Sequence, residues 1–219
     1  MKSIFLLGTD TSAGKTHASA ALMLRYEKLV YWKAVQTGFP PDDDAAVVEK
    51  LTGLDRKRFL STGFTFKNPL SPHRAAELEN RSLTIHEIIQ KYEEYSAGKN
   101  LLVEGAGGLL VPVNREETWL DFLLKIDFTI VLAARTGLGT INHTLLTLKC
   151  LAENKLKPAG VIFCGKENED NVKTIEQFSG IPSLGQFYYE EGMNFKLASE
   201  GIDSSGIIES VLENRASSQ

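Results

Sequence analysis

A chain of 219 residues favours a single domain, which we expect to span residues 1–214. Its composition, with 42% hydrophobic and 24% charged residues, is that of an ordinary soluble globular protein. A formal net charge of −4 argues against a nucleic acid or an anionic membrane held by bulk charge.

Cysteine usage and hydropathy indicate the compartment. Cys150 and Cys164 form neither a CxxC pair nor a zinc-binding spacing, so we expect two reduced thiols. The apolar run near the N-terminus is too short for a signal peptide, and no window approaches the roughly 18 apolar residues of a membrane span. We therefore expect a cytoplasmic protein with no membrane partner.

Apolar runs alternate with helical patterns along most of the chain. The runs are nearly continuous, which is typical of strands covered on both faces of a parallel sheet. The predicted strands are 3–8, 30–35, 100–104, 128–134, 158–163 and 183–187, and the predicted helices are 15–28, 43–52, 84–95, 140–154, 171–178 and 205–214. This alternation predicts a doubly wound, mostly parallel α/β sheet flanked by helices. Residues 53–81 show no clear period, and we expect residues 215–219 to be a disordered tail.

The first strand runs directly into GTDTSAGKT at residues 8–16, a phosphate-binding loop one residue longer than the common pattern. Its glycines let backbone N–H groups converge on a phosphate, and the positive end of the following helix dipole points to the same place. Lys15 supplies a mobile cation, and the Thr16 hydroxyl can bind Mg²⁺. The loop predicts that the chain binds a nucleoside triphosphate.

Lys33 ends the second predicted strand among apolar neighbours. We expect its ammonium group at the carboxyl edge of the sheet, where open α/β folds bind ligands. An acidic run follows at residues 42–44. Such a run is usually a solvated loop, but this one also begins a helix, whose dipole favours acids. Both a structural and a functional role are open for it.

Glu104 ends the apolar third strand and is followed by GAGG at residues 105–108. A small hard cation such as Mg²⁺ takes one or two carboxylates beside nucleotide phosphates, and glycines let the backbone approach a ligand closely. Glu104 is therefore a candidate magnesium ligand. Farther along, TGLG at residues 136–139 leads into a helix, whose N-terminus offers a second anion site. The four histidines show no ligand spacing, and none is assigned to a metal.

Taken together, these motifs resemble the dethiobiotin synthetase family, which closes the ureido ring in biotin biosynthesis. The resemblance runs from residue 3 to about residue 165. It rests on GTDTSAGKT (8–16), KAVQTG (33–38), Asp44-Ala45, Ser71-Pro72-His73, VEGAGG (103–108) and GTINH (139–143). It implies a single-domain P-loop NTPase-type fold, a homodimer, Mg²⁺ as cofactor and ATP as co-substrate. The implied substrates are 7,8-diaminononanoate and CO₂ or bicarbonate.

The resemblance also implies roles for individual residues. Lys33 would be the active-site lysine, with Lys15 as a second catalytic cation. The nucleotide site would comprise Ser12, Ala13, Gly14, Lys15, Thr16, His17, Asp44, Glu104, Gly105, Ala106, Gly107, Cys164 and Gly165, with Thr16, Asp44 and Glu104 around Mg²⁺. The substrate site would comprise Thr11, Lys33 and Thr37, together with Gly139, Thr140, Ile141 and Asn142 of the neighbouring subunit, which would bind the tail carboxylate.

Three parts of the sequence depart from the family pattern. Ser12 stands where the best-known members carry an acidic residue, and Cys164-Gly165 stand where many members carry an Asn-Asp that reads adenine. The later segment around residues 185–187 also lacks its usual Ile-Pro. A cysteine cannot supply the paired amide donor and acceptor that the edge of adenine invites. The substitution predicts weak discrimination among nucleobases.

Two other protein classes share parts of this pattern. A nucleotide switch of the partitioning or nitrogenase-iron-protein type has the same fold and strand-end acids. Those proteins typically carry a further lysine five residues before the invariant one, where this chain has Asp10. An amidotransferase-linked ligase such as cobyrinate diamide synthetase would need a glutaminase domain, and too little sequence follows residue 165 to form one. The synthetase is the favoured reading, with the switch as the alternative.

Overall fold

The computed structural model describes residues 3–214, with side chains described through residue 210; the predicted tail at 215–219 lies outside this range. The strands are β1 (Ile4–Gly8), β2 (Leu29–Lys33), β3 (Val35–Thr37), β4 (Phe64–Phe66), β5 (Asn100–Gly108), β6 (Thr129–Arg135), β7 (Gly160–Cys164) and β8 (Ser183–Phe187). The helices are α1 (Lys15–Arg25), α2 (Asp44–Thr52), α3 (Pro72–Leu78), α4 (Ile85–Ser96), α5 (Trp119–Leu123), α6 (Thr140–Glu153), α7 (Glu169–Ser179), α8 (Phe195–Ser199) and α9 (Ile207–Asn214), and Arg56–Arg58 forms a 3₁₀ turn. No helix within residues 3–214 is long and apolar enough to cross a lipid bilayer.

Six strands form one sheet in the order β2-β5-β1-β6-β7-β8, and every pairing within it is parallel. The central strand β1 is buried throughout. Phe5 and Leu7 enter the core layer on one face, and Ile4 and Leu6 enter the layer on the other. Because both faces are covered by helices, the strands are apolar without alternation. The predicted doubly wound fold is confirmed, and all six predicted helices and five of the predicted strands have direct counterparts. The sixth predicted strand, 30–35, is divided at Ala34 between β2 of this sheet and β3 of a separate sheet.

The strand order explains why residues far apart in sequence share one edge of the sheet. β5 lies between β1 and β2, so the carboxyl ends of all three strands meet there. In the parallel register Lys33 is the direct partner of Glu104, and Gly8 pairs with Gly108. The phosphate-binding loop, the strand-end lysine and the strand-end carboxylate are therefore neighbours because of the topology.

The unassigned stretch 53–81 contributes β4 and α3 to a small second layer beside this edge, and β3 completes the layer. β3 and β4 pair in parallel as a separate two-stranded sheet, and α3 follows with Pro72 in its first turn. Gly63 lets this layer pack against the main sheet, because a Cβ there would lie 2.4 Å from the Ala34 carbonyl oxygen. The stretch showed no period because its elements are only three to seven residues long.

Candidate functional site

The carboxyl ends of β1, β2 and β5 open into a cavity of about 1100 Å³. Its wall comes from the phosphate-binding loop, the start of α2, the start of α3 and the glycine segment of β5. The predicted site residues that line it are Thr11, Ser12, Gly14, Lys15, Thr16, His17, Lys33, Thr37, Asp44, Glu104, Ala106 and Gly107. The structure thus brings most of the predicted nucleotide and substrate residues into one space.

The phosphate-binding loop owes its shape to backbone that most residues adopt poorly. Gly14 has a φ of +90° at the N-cap of α1, and Ser12 has a φ of +60°. The Lys15 ammonium folds back over the loop and donates to the Asp10 carbonyl oxygen at 3.2 Å. Gly8 makes room for it, since a Cβ there would lie 2.8 Å from the Lys15 Nζ. Burial, and then the neighbouring Lys33 cation, lowers the pKa of Lys15.

Lys33 lies between two carboxylates at the floor of the cavity. Its Nζ is 2.8 Å from Glu104 Oε1 and 2.5 Å from Asp44 Oδ2, and it also donates to the Gly105 carbonyl oxygen. Lys33 is 3% exposed and Glu104 is 0% exposed, so the pair is shielded from water. Burial opposes the charge of Lys33, but Glu104 and then Asp44 outweigh it and raise the pKa of the ammonium group. Lys33 is therefore a fixed cation at neutral pH.

Two residues of the acidic run at 42–44, Asp43 and Asp44, make different contacts. Asp43 caps α2, because its side chain accepts a hydrogen bond from the Ala46 N–H at 3.0 Å. Asp44 instead turns into the cavity, where its Oδ1 accepts from the Thr16 hydroxyl at 2.8 Å. Its backbone N–H donates to the Gln36 Oε1 at 3.2 Å, which fixes the start of α2 against β3. The structural role falls on Asp43, and the functional role stays a prediction for Asp44.

The oxygens of Thr16, Asp44 and Glu104 suit a small hard cation. Thr16 and Asp44 are in contact, and the ammonium group of Lys33 shows that the gap between the two carboxylates already accepts a positive charge. Within residues 3–214 no cluster of three or more His, Cys, Asp or Glu side chains could hold a metal alone. Magnesium fits this smaller donor set, since it keeps waters and shares its coordination with nucleotide phosphates. The predicted set fits Mg²⁺.

The ion pair between Lys33 and Asp44 predicts a loss of stability in acid. Burial alone would raise the pKa of Asp44, but Lys33 and then the Thr16 hydroxyl outweigh burial and lower it. A carboxylate with a depressed pKa stabilises the fold above its unfolded-state pKa, and that contribution is lost as pH falls through the folded-state value. We expect the melting temperature of Asp44→Asn to fall less than that of the wild type between pH 6 and about pH 3. Equal slopes in the two melting profiles would contradict the prediction.

Four predicted nucleotide residues lie outside the cavity wall. Ala13 is buried in the core, and the Gly105 backbone faces Lys33 while a Cβ on it would lie 2.9 Å from Phe5. Cys164 packs behind the phosphate-binding loop, with its Sγ 3.6 Å from the Gly14 carbonyl oxygen. Burial raises the pKa of this thiol to about 12. Gly165 lines a separate cavity of about 510 Å³ next to β8, so the role of these two residues with a base stays a prediction.

Gly139, Thr140, Ile141 and Asn142 line another cavity, of about 500 Å³, at the N-terminus of α6. The Thr140 side chain points into the protein, where its hydroxyl donates to the Arg135 carbonyl oxygen at 2.5 Å. Thr140 is the first residue of α6. Leu138, just before this segment, is fully exposed, and Leu146, four residues after Asn142 on α6, is 59% exposed. The structure therefore sets this segment apart from the main cavity of the same chain.

Two hydrogen bonds to Glu104 escaped the sequence analysis. Ser19 Oγ and Tyr31 OH both reach Glu104 Oε2, at 2.5 Å and 3.0 Å. Both residues are fully buried among apolar neighbours, so their positions carry the pattern of a core helix and a core strand. The only available signal is spacing: Ser19 lies three residues after Thr16 on α1, and Tyr31 lies two residues before Lys33 on β2.

Comparison with known proteins agrees with this geometry. The family model AAA_26, described as an AAA domain, matches residues 2–196. The sequence is 39% identical over 183 residues to the ATP-dependent dethiobiotin synthetase BioD of Rhodopseudomonas palustris (strain TIE-1), with 84% of each chain covered. BioD of Lawsonia intracellularis is also 39% identical, over 84% of this chain and 86% of its own. The chain belongs to the ATP-dependent dethiobiotin synthetase family.

A longer relative places the family in its pathway. The biotin biosynthesis bifunctional protein BioCD of Bordetella avium (strain 197N) is 40% identical over 186 residues, which cover 84% of this chain but 39% of that protein. The resemblance to the dethiobiotin synthetase family is thereby confirmed, and so is the predicted enzyme class, an ATP-dependent ligase of biotin biosynthesis.

Solved structures with the same fold are more distant in sequence. A ParA family ATPase from Chlorobium tepidum TLS superposes with a TM-score of 0.56 at 13% identity, covering 97% of this chain and 98% of that one. The cell division ATPase MinD of Pyrococcus furiosus gives the same TM-score and identity, with 96% and 100% covered. At 13% identity the likeness concerns the fold alone. It confirms the P-loop NTPase architecture predicted for the dethiobiotin synthetase family.

Proposed function

We propose that this chain forms the ureido ring of dethiobiotin from 7,8-diaminononanoate, CO₂ and ATP, with release of ADP and phosphate. One neutral amine of the diamine adds to CO₂ and loses a proton, giving a carbamate. A carbamate oxygen then takes the γ-phosphoryl group of ATP, and ADP leaves. The second amine attacks the carbon of this mixed anhydride, which closes the ring and expels phosphate and a proton.

The observation that carries the proposal is the position of Lys33 beside the phosphate-binding loop. Lys33 is close enough to Lys15 for its charge to lower the pKa of Lys15, and both lysines line the same cavity. Two ammonium groups at one spot suit a reaction whose transition state concentrates negative charge on a transferring phosphoryl group. When bound, Mg²⁺ held by Thr16, Asp44 and Glu104 would neutralise phosphate charge as well.

The rest of the cavity suits a flexible diamine. Thr37 and Asp42 lie on its wall, which also includes the apolar side chains of Val111 and Pro72. A carboxylate near the mouth attracts an ammonium-bearing substrate, and apolar walls hold its carbon chain. No side-chain nucleophile is needed, because ring closure is intramolecular and positioning can supply roughly 7–11 kcal/mol of the barrier reduction. The residues around the substrate therefore act by holding it.

The test is ADP release by the purified chain with ATP and Mg²⁺ present. We expect release to require both diaminononanoate and bicarbonate, with one molecule of dethiobiotin formed per ADP. Omitting either substrate should reduce the rate to background. Release that ignores both substrates, but rises with a protein partner or a lipid, would instead support a nucleotide switch.

The base of the nucleotide provides a separate prediction. Cys164 offers no amide pair to adenine, and its thiol is engaged behind the phosphate-binding loop. We expect GTP and CTP to support dethiobiotin formation at more than a hundredth of the ATP rate. The three rates should be compared at saturating nucleotide. Rates with GTP and CTP below that limit would show that other residues read adenine.

We also propose that the active unit is a homodimer in which the segment 139–142 of one subunit binds the tail carboxylate of its neighbour's substrate. Support comes from the exposed Leu138 and Leu146, which flank that segment. Exposed leucines grouped on one face are typical of a covered interface.

Replacing Leu146 tests the dimer. We expect Leu146→Asp to shift the sedimentation coefficient to that of a monomer and to raise the KM for the diamine, because the tail site would be lost. Leu197→Asp is the matched control, since Leu197 is 66% exposed on α8 and away from this face. A monomeric wild type, or a Leu146→Asp variant with an unchanged KM, would refute the shared site.

A further inference from the structure

Glu104 accepts hydrogen bonds from two buried hydroxyl groups that do not line the cavity. Its Oε2 accepts from Ser19 Oγ at 2.5 Å and from Tyr31 OH at 3.0 Å, whereas its Oε1 faces the Lys33 Nζ at 2.8 Å. Ser19, Tyr31 and Glu104 are each 0% exposed. The two oxygens of one carboxylate thus have separate surroundings, one saturated by neutral donors and one turned to the cation.

The elements that carry the hydroxyls are the same ones that build the site. Ser19 and Thr16 lie three residues apart on α1, so both side chains project from one face of that helix. Tyr31 and Lys33 lie two residues apart on β2, so they project from one face of the strand toward Glu104 on the neighbouring strand. Placing Thr16 and Lys33 in the cavity therefore also places the two hydroxyls against Glu104.

We propose that Ser19 and Tyr31 are positioning residues that direct Glu104 Oε1 at the cation site. A buried carboxylate must have its lone pairs satisfied, and two donors on Oε2 leave Oε1 as the oxygen available to a cation. Outer donors of this kind orient metal-binding carboxylates, and their removal typically weakens metal affinity about 10- to 100-fold. The inference rests on the proposed function, because the cation would be the Mg²⁺ that accompanies the nucleotide.

The phenol of Tyr31 can act as a donor to Glu104. Its hydroxyl lies 3.0 Å from Glu104 Oε2, and both side chains are fully buried. A purely structural reading is that Tyr31 only fills the core, where its ring lies 6.1 Å from that of Phe59. The two readings differ in the expected effect of removing only the Tyr31 hydroxyl. Positioning predicts a change in Mg²⁺ dependence, whereas core packing predicts a change in stability alone.

Tyr26 provides a matched control for that loss. Its hydroxyl also donates to a buried carboxylate, that of Asp203, which in turn accepts from the backbone N–H groups of Ile207 and Ile208. This contact ties α1 to the start of α9 and does not involve the cavity lining. Tyr26→Phe and Tyr31→Phe therefore each remove one phenol–carboxylate hydrogen bond, but only the second touches the cation site.

The experiment is calorimetric titration of ADP into the full chain at graded Mg²⁺ concentrations. We expect the Mg²⁺ concentration for half-maximal ADP affinity to rise roughly tenfold in Tyr31→Phe and in Ser19→Ala, and to stay unchanged in Tyr26→Phe. Melting temperatures should fall in all three, so the metal dependence separates positioning from stability. Ser19→Ala alone decides the question if Tyr31→Phe does not fold.

Three results would count against the inference. An unchanged or lower Mg²⁺ requirement in both site variants would overturn it while leaving the proposed function intact. An equal rise in Tyr26→Phe would also overturn it, because a general loss of stability would then explain the effect. Wild-type ADP binding that ignores Mg²⁺ would overturn the proposed metal site and this inference together.

Discussion

Lys33→Ala should reduce the rate of dethiobiotin formation roughly 10³-fold while the affinity for ADP changes little. The ammonium group of Lys33 lies next to the phosphate-binding loop and is held in its charged form by Asp44 and Glu104. An electrostatic group placed where charge develops contributes mainly to the transition state. Steady-state turnover and calorimetric ADP binding, measured on the same preparation, check the two halves of the prediction.

Removing Lys33 should also leave the carboxylates of Asp44 and Glu104 without their shared cation. Glu104 is fully buried, so losing its cation should lower the free energy of unfolding by roughly 3 kcal/mol. Added Mg²⁺ should then raise the melting temperature of the variant more than that of the wild type, because the metal can replace the missing charge.

Lys50→Ala is the control for this experiment, because Lys50 also lines the cavity but is exposed on α2. Its turnover should stay close to that of the wild type. A Lys33→Ala enzyme with near-normal turnover would refute the role of this lysine.

Glu104→Gln should be nearly as damaging, for a different reason. The substitution keeps the shape of the side chain but removes the charge that both Lys33 and a bound Mg²⁺ require. Breaking a buried ion pair by neutralising one partner costs about 3–5 kcal/mol of stability. We expect turnover to fall roughly 10²- to 10³-fold, with loss of the Mg²⁺ dependence of ADP binding.

Urea unfolding and the rate of ADP release measure the two effects of Glu104→Gln. Glu77→Gln serves as a surface control, since Glu77 binds Arg115 and Arg74 at the protein surface, where its side chain is 33% exposed. Such exposed pairs contribute little, so this variant should resemble the wild type in both measurements. The account would be wrong if Glu104→Gln kept its activity within tenfold of the wild type.

The local parts of the site could be predicted because each carries its own pattern. The phosphate-binding loop follows an apolar strand, and its glycine spacing leaves few other readings. Lys33 and Glu104 each end a strand, and parallel strands bring such residues to one edge. Their direct pairing depends on the order β2-β5-β1, which no local pattern states.

The parts that could not be predicted depend on tertiary contacts. Ser19 and Tyr31 have the pattern of core residues in the sequence. Their hydroxyls reach Glu104 only because α1 and β2 pack around it. The layer formed by residues 53–81 is held by contacts such as that of Gly63 with Ala34 rather than by periodic burial. The contact of the Cys164 thiol with the Gly14 carbonyl oxygen also depends on tertiary packing, and the role of Cys164 near a base stays a prediction.

A crystal structure of the enzyme with Mg²⁺ and a non-hydrolysable ATP analogue tests the central claim most directly. The account predicts a metal about 2.1 Å from the Thr16 hydroxyl, with Asp44 and Glu104 bound to it directly or through one water. It also predicts that the Lys33 ammonium contacts the terminal phosphate. A metal held elsewhere, with Lys33 or Glu104 turned away from the nucleotide, would contradict the account.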